Sequence, residues 1–293
     1  MAEGPKKDLT LSTRTSGVRI LEYRIKMSPD DKIIEIPDSQ RIYEFMLTKI
    51  SETGFDVKNI IEGRNFLQVS CAMPENTVLM PLMPMEFTRK IEKEDYPFLK
   101  MLKSIRFISE DILSRTETKS FFQTALDNLL ENKWEIKDDI LIRRYQDISF
   151  DMEESLEPIR LKTGDGYVTR IVPVFSGKDT VFQFFARTDI EAAENLLRPG
   201  SIMDFGFYSS FRIKEISYFE RKRSNTGILL SKYCPVSLED EIHVKKSYFR
   251  TSMTNGIQYI KEGSLLRIKR NFKGQVFVKD GSLFNGQGYL YYV

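Results

Sequence analysis

The run VFQFFARTDIEAAENLLRPGSIMDFGFYSSFRIK (residues 181–214) decides the fold. Its first seven residues are apolar and aromatic with few interruptions, as in a buried strand. Thr188 and Asp189 then offer capping oxygens to a short helix through Leu197, which Pro199 and Gly200 end. From Ile213 the pattern returns to strand. The same strand–helix–strand order occurs near the start of the chain. VRILEYRIKM (18–27) alternates apolar and polar residues, which predicts a half-buried strand. Asp38 or Ser39 caps a helix running to about Glu52, with Ile42, Phe45, Met46 and Ile50 on its apolar side, and Gly54 closes it. FLQVSC (66–71) is the next strand.

Working outward, Pro74, Pro81 and Pro84 hold residues 73–90 extended. Residues 97–109 mix strand and helix signals, with Lys100, Lys103 and Arg106 spaced to share a helix face. Residues 118–132 form a clearer helix. From Trp134 to Arg160 the periodicity weakens, and Arg143, Arg144 and Tyr145 cluster in what reads as an inserted arm. YVTRIVPVF (167–175) and the strand at 181–187 are expected to pair as a hairpin across Ser176-Gly177-Lys178-Asp179. Strand-like runs follow at 213–219, 227–234, 241–248, 265–269 and 275–278. The organisation expected is a flexible tail (1–17), a first ferredoxin-like unit (18–133), an arm or thumb (134–165) and a β-rich second ferredoxin-like unit (166–293).

Composition narrows the chemistry. The 293 residues are 41% hydrophobic and 29% charged, with one histidine (His243) and two cysteines (Cys71 and Cys234). A Cys/His zinc site needs three or four ligands at short spacing, and Ser-His or Cys-His catalysis would have to run through His243 alone. Phosphate-cradling glycine loops are missing as well. The expectation is therefore no enzyme, no metal and no cofactor. With no apolar run of spanning length and no apolar leader, the expected location is the cytoplasm, without a membrane partner.

Net charge is only +2, but its distribution is uneven. Residues 212–273 hold fourteen Lys or Arg against six Asp or Glu, a balance of +8, which leaves −6 for the remainder. Such asymmetry fits a nucleic-acid face on one side and a protein-contact face on the other, or solvated strand faces. Within 198–214, Gly200 and Gly206 allow close backbone approach, while Tyr208, Phe211, Arg212 and Lys214 supply rings and positive charge. That combination suits single-stranded RNA. The plainer reading is a helix cap followed by an amphipathic strand.

The order of several segments resembles a known family. IPDSQRIYEFM (36–46), TVLMPLMPMEF (77–87) followed by LKSIRFIS (102–109), GYVTRIVPVFSGKDTVFQFFAR (166–187), GILLSKYCPVS (227–237), SYFRTSMTNGI (247–257) and IKEGSLLRI (260–268) are similar in order and spacing to subunit four of the Csm complex, the type III-A CRISPR effector. That family is Cas5-like and belongs to the RAMP superfamily. Two departures stand out: the family's glycine-rich loop is here DFGFYSSFRIKE (204–215), with one glycine, and the helix near residue 39 lacks the usual Ser-Asp-Thr order.

The resemblance implies an α+β fold of two ferredoxin-like (RRM-like) units with antiparallel sheets and an inserted arm. It implies a non-catalytic RNA-binding scaffold that holds the 5′ handle of the CRISPR RNA. Such a subunit also anchors the large polymerase-type subunit and the first backbone RAMP subunit. Arg170, Arg212, Lys214 and Arg250 would meet phosphates, Tyr208 or Phe211 would stack on a base beside Gly206, and the arm with Arg143, Arg144 and Tyr145 would wedge at the first guide–target segment. The alternatives are a metal-independent RAMP endoribonuclease that processes repeat RNA and a Cas5-like subunit of another CRISPR type.

Overall fold

The computed structural model describes residues 20–117, 120–164, 166–177, 179–191, 193, 196–206, 209–218, 224–270 and 272–293. The expected tail at 1–17 lies outside them, as do Lys178 of the expected turn and residues 192, 194 and 195 of the expected short helix.

The first strand, β1 (Leu21–Pro29), keeps its alternation: Leu21, Tyr23, Ile25 and Met27 are buried. Helix α1 (Ser39–Glu52) starts where Asp38 accepts the Arg41 N–H at 3.0 Å, so Asp38 is the cap. Ile42, Tyr43, Met46, Leu47 and Ile50 bury its apolar face. Gly54, at φ +84°, follows the helix in the left-handed region that glycine adopts without strain. A short helix α2 (Lys58–Ile61) leads to β2 (Leu67–Val69) and β3 (Met73–Pro74).

The chain then builds a second sheet before returning to the first. β4 (Thr77–Leu79), α3 (Tyr96–Ser104), β5 (Phe107–Ser109), α4 (Glu110–Arg115), α5 (Phe121–Leu130), β6 (Trp134–Lys137) and β7 (Ile140–Arg143) give a four-stranded sheet in the order β4-β5-β7-β6. Its β5–β7 pair is parallel. The β6–β7 hairpin turns at Asp138 and Asp139, both at positive φ, a two-residue turn that matches the twist of its strands. Residues 134–143 therefore belong to this sheet and not to an arm, because Trp134, Ile140, Leu141 and Ile142 are buried in its core.

The arm is the next hairpin, β8 (Glu153–Thr163) and β9 (Gly166–Ser176), paired over eleven residues from Glu153–Ser176 to Thr163–Gly166. Next comes β10 (Phe182–Thr188), which does not pair with β9 as expected; it lies between β1 and β2. The reason is burial. All seven residues of β10 are buried, so both faces need cover, whereas most of β9 is exposed. An apolar run without alternation belongs inside a sheet, and β10 finds two neighbours there.

β11 (Ile202–Asp204) and β12 (Ser210–Tyr218) complete the first sheet, in the order β11-β12-β1-β10-β2 with β3 also on β10. Taken as β1, β2, β10 and β12, the strands stand fourth, first, third, second across the sheet. This is the ferredoxin-like arrangement, with α1 crossing from β1 to β2. A register shift between Lys26 and Met27 leaves Lys214 as the extra residue of a bulge in β12.

The rest of the chain is β-rich, as expected. β13 (Thr226–Leu229) leads to α6 (Leu238–Glu241), then β14 (Thr251–Thr254), β15 (Ile257–Ile260), β16 (Leu265–Arg267), β17 (Gln275–Lys279), β18 (Ser282–Gly286) and β19 (Leu290–Tyr292). β13 lies between β16 and β19, while β14–β15 and β17–β18 are separate hairpins. The strand expected at 241–248 is instead the end of α6 and a 3-10 turn, because Ser237 caps a helix by accepting the Asp240 N–H.

One core lies between α1 and the first sheet. A second joins α3–α5 and β4–β7 to Ile228, Leu230, Leu265, Tyr289 and Tyr291 from the C-terminal part. The units are thus assembled from interleaved segments, and the boundaries expected at 133/134 and 165/166 do not separate them. Two carboxylates tie the bodies together. Glu22 accepts from Arg187 at 2.7 Å and from the Tyr289 hydroxyl at 2.6 Å; Glu110 accepts from Arg24 and the Tyr291 hydroxyl, each at 2.7 Å, and from Gln183 at 2.8 Å. The α+β class with largely antiparallel sheets and an arm holds, with the segments distributed differently.

Candidate nucleic-acid interface

In the stretch 198–214 the backbone closes on itself. The Gly200 N–H donates to the Ile213 carbonyl at 2.8 Å, and the Ser209 N–H donates to the Gly206 carbonyl at 3.0 Å. Gly206 sits at φ +82°, and its N–H donates to Asp204 Oδ1 at 2.9 Å. That carboxylate occupies the donor a phosphate would need. Among the described residues nothing lies within 4 Å of where a Gly206 side chain would begin, so the glycine serves the turn rather than a close approach.

Phe211, expected at the interface, belongs to the core instead. It is 0% exposed and packs edge-on against Phe182 at 5.8 Å and Phe205 at 6.0 Å, inside the core under α1. Alternation along β12 turns residue 211 inward and residue 212 outward, so Phe211 cannot stack on a base. Arg212 is outward, yet its guanidinium donates to Asp30 at 2.5 Å and to the Gly200 carbonyl at 3.1 Å. Lys214 is exposed at the bulge. Tyr208 lies outside the described residues.

The other expected contacts stand on different elements. Arg170 is exposed on β9, opposite Ile159 of the arm. Arg250 is exposed in the loop before β14, where its N–H donates to Ser264 Oγ at 3.4 Å and its carbonyl accepts from Lys261 at 2.9 Å. Arg143 pairs with Asp111 at 2.6 Å, and Arg144 lies over the Tyr145 ring at 5.3 Å. Tyr145 is 88% exposed at φ +67° where the chain leaves β7, so this trio is on the second sheet and not on the projecting hairpin.

A different place gathers positive charge. A cleft of about 600 Å³ opens between the loop before β2 and the segments around 224–225 and 268–274. Arg64, Arg187, Lys269, Arg270 and Lys273 line it, and no Asp or Glu does among the described residues. Glu62 pairs with Arg64 and Glu22 with Arg187. Lys269 donates to the Glu239 carbonyl, so the cleft keeps three cations, Lys269, Arg270 and Lys273, without a carboxylate partner among the described residues. Phe66, Phe272 and Tyr292 add rings. Phe272 stacks on the buried Tyr233 with centroids 4.2 Å apart.

Arg187 is the buried member, 5% exposed. Its two terminal nitrogens reach Glu22 at 2.7 Å and Gln68 at 3.5 Å, while its buried Nε has no hydrogen-bond partner among the described residues. An unpaired buried donor costs free energy comparable to a lost hydrogen bond. A reading of the sequence passes over these residues. Lys269, Arg270 and Lys273 fall inside the basic region at 212–273, but Arg64 and Arg187 come from strands and loops far away in the chain. Beside the cleft, His243 has its pKa lowered by burial and by the cations Lys246, Lys269 and Arg267.

No family model matches the chain, and no curated protein matches it in sequence. Solved structures match in fold. One is a chain in the crystal structure of the Csm3-Csm4 subcomplex in the type III-A CRISPR-Cas interference complex. The match has a TM-score of 0.60 at 16% identity and covers 92% of this chain and 98% of that one. Another is in the crystal structure of the Csm1-Csm4 cassette in complex with pppApA, with a TM-score of 0.55 at 14% identity over 93% and 97% of the two chains. The resemblance seen in the sequence is thus borne out at the level of the fold: this chain has the α+β fold of the Csm4 subunits in those assemblies.

Proposed function

We propose that this chain is a non-catalytic, RNA-binding scaffold subunit of a type III CRISPR interference complex. It holds the 5′ handle of the CRISPR RNA and anchors a large polymerase-type subunit on one side and the first backbone RAMP subunit on the other. The observation that carries this is the shared fold, which spans nearly the whole of both chains in structures where Csm4 is paired with Csm3 or Csm1. The concentration of cations without acids in the cleft supports the RNA-binding part. Among the described residues no helix is long and apolar enough to cross a membrane. Work in the cytoplasm is part of the proposal.

Incubation of the purified protein with labelled repeat RNA tests the scaffold against the nuclease. Stoichiometric binding without cleavage is the expected result. Specific cleavage that disappears in His243→Ala would replace the scaffold reading with endoribonuclease, since an imidazole whose pKa is lowered by burial and nearby cations can act as a general base. Co-expression with large and backbone subunits checks the partners: all three should co-purify.

A further inference from the structure

We propose that the cleft between the β2 side of the first sheet and residues 268–270 and 272–274 is a nucleoside-phosphate site, with the phosphate held by Lys269, Arg270 and Lys273. This rests on the RNA-binding reading and deepens it by naming the place and the unit bound. Three observations converge. The lining is cationic without a single carboxylate among the described residues, and Lys269, Arg270 and Lys273 face an anion without an acidic partner. Arg187, which lines the cleft, is held by Glu22 and Gln68, so that its guanidinium is a fixed part of the wall. Phe272 has one ring face covered by Tyr233 and lines the cleft, which leaves the other face for a base. At about 600 Å³ the space matches a small ligand, one nucleotide with room for its neighbour, rather than a duplex.

The same chemistry is available from a nucleotide inside single-stranded RNA and from a free nucleotide, so the test has two arms. Binding of a fluorescein-labelled single-stranded RNA by anisotropy and of AMP by calorimetry is measured for the full chain, for Arg270→Glu with Lys273→Glu, and for Phe272→Leu. Unchanged melting temperatures verify that the variants fold. The charge variant should bind its ligand at least roughly tenfold more weakly, because two cations at the phosphate become anions, and Phe272→Leu should weaken binding about fivefold or more, as removal of one base-stacking ring does. If only RNA shows this loss, the site takes a nucleotide within a strand; if AMP binds and shows it, the site takes free nucleotides. If both variants bind RNA as the wild type does and AMP does not bind, the assignment of the cleft is overturned while the RNA-binding reading stands. If the wild type binds neither RNA nor AMP, both are overturned.

Discussion

Residues 198–214 and the cleft at 268–274 both carry Arg and Lys beside aromatic rings, yet they differ in what surrounds the charges. In the first, Asp30 neutralises Arg212, Asp204 takes the Gly206 N–H, and Phe211 is core. In the second, three cations have no carboxylate partner among the described residues, and Phe272 lines open space. The difference shows that a cation's worth to a ligand depends on its neighbours. Asp30 is 182 residues from Arg212 in the chain, so the stretch itself holds no sign of the pairing.

The largest effect that separates the two regions is on stability. Phe211→Ala should cost about 3 to 5 kcal/mol in urea unfolding, as removal of a buried ring does. A stacking residue at the surface would cost little, so a near-neutral result would restore Phe211 to the interface. Next comes the salt dependence of RNA binding. Arg270→Ala with Lys273→Ala should flatten the slope by roughly 0.7 log units for each phosphate no longer neutralised, whereas Arg212→Ala should leave it close to the wild-type value. Equal flattening by both would erase the distinction.

Acid stability gives a smaller contrast within the second body. Arg89 grips Asp95 at 2.6 and 2.8 Å, and with the Glu92 N–H it lowers the Asp95 carboxyl from 3.8 to about 2. A depressed carboxyl stabilises the fold above its unfolded pKa and loses that contribution as pH falls through the folded one. Stability from this pair should therefore be complete above pH 3.8 and disappear towards pH 2, and Arg89→Met should remove that part of the acid transition in a pH-dependent melting series. Smallest of all, Asp30→Asn should change the melting temperature barely, since an exposed ion pair contributes about 0 to 1 kcal/mol. It should also free Arg212, so a measurable gain in RNA affinity would show that this surface is masked by Asp30 rather than unsuited to RNA.

Much of the fold is legible in residue order. The alternation of β1, the Asp38 cap, the Gly54 stop and the α+β class follow from local rules, as does the β-rich end. The pairings are not. β9 and β10 stand next to each other in the chain with a turn-like link between them, and each nevertheless pairs elsewhere. Thr180 ties that link to the Asp151 backbone at 2.7 and 3.0 Å, holding the base of the arm while β10 turns into the sheet. A hairpin signal in sequence records turn chemistry, while β10 is decided by burial on both faces. The short helix at 238–241 is hidden in the sequence because a serine cap within a strand-like run carries little weight beside the apolar residues that follow.

By itself, then, the amino-acid order determined the alternation of β1, the cap and stop of α1, the scarcity of histidine and cysteine, and the excess of basic residues at 212–273. Those are properties of neighbours along the chain, set by backbone sterics, capping and hydrophobic period. Tertiary structure alone decided that β10 and β12 flank β1 in the first sheet, that Arg212 meets Asp30, and that Arg64 and Arg187 join Lys269, Arg270 and Lys273 around one cleft. Coulomb interaction and desolvation depend on distance in space, and a chain that interleaves its units brings together charges that no local window contains.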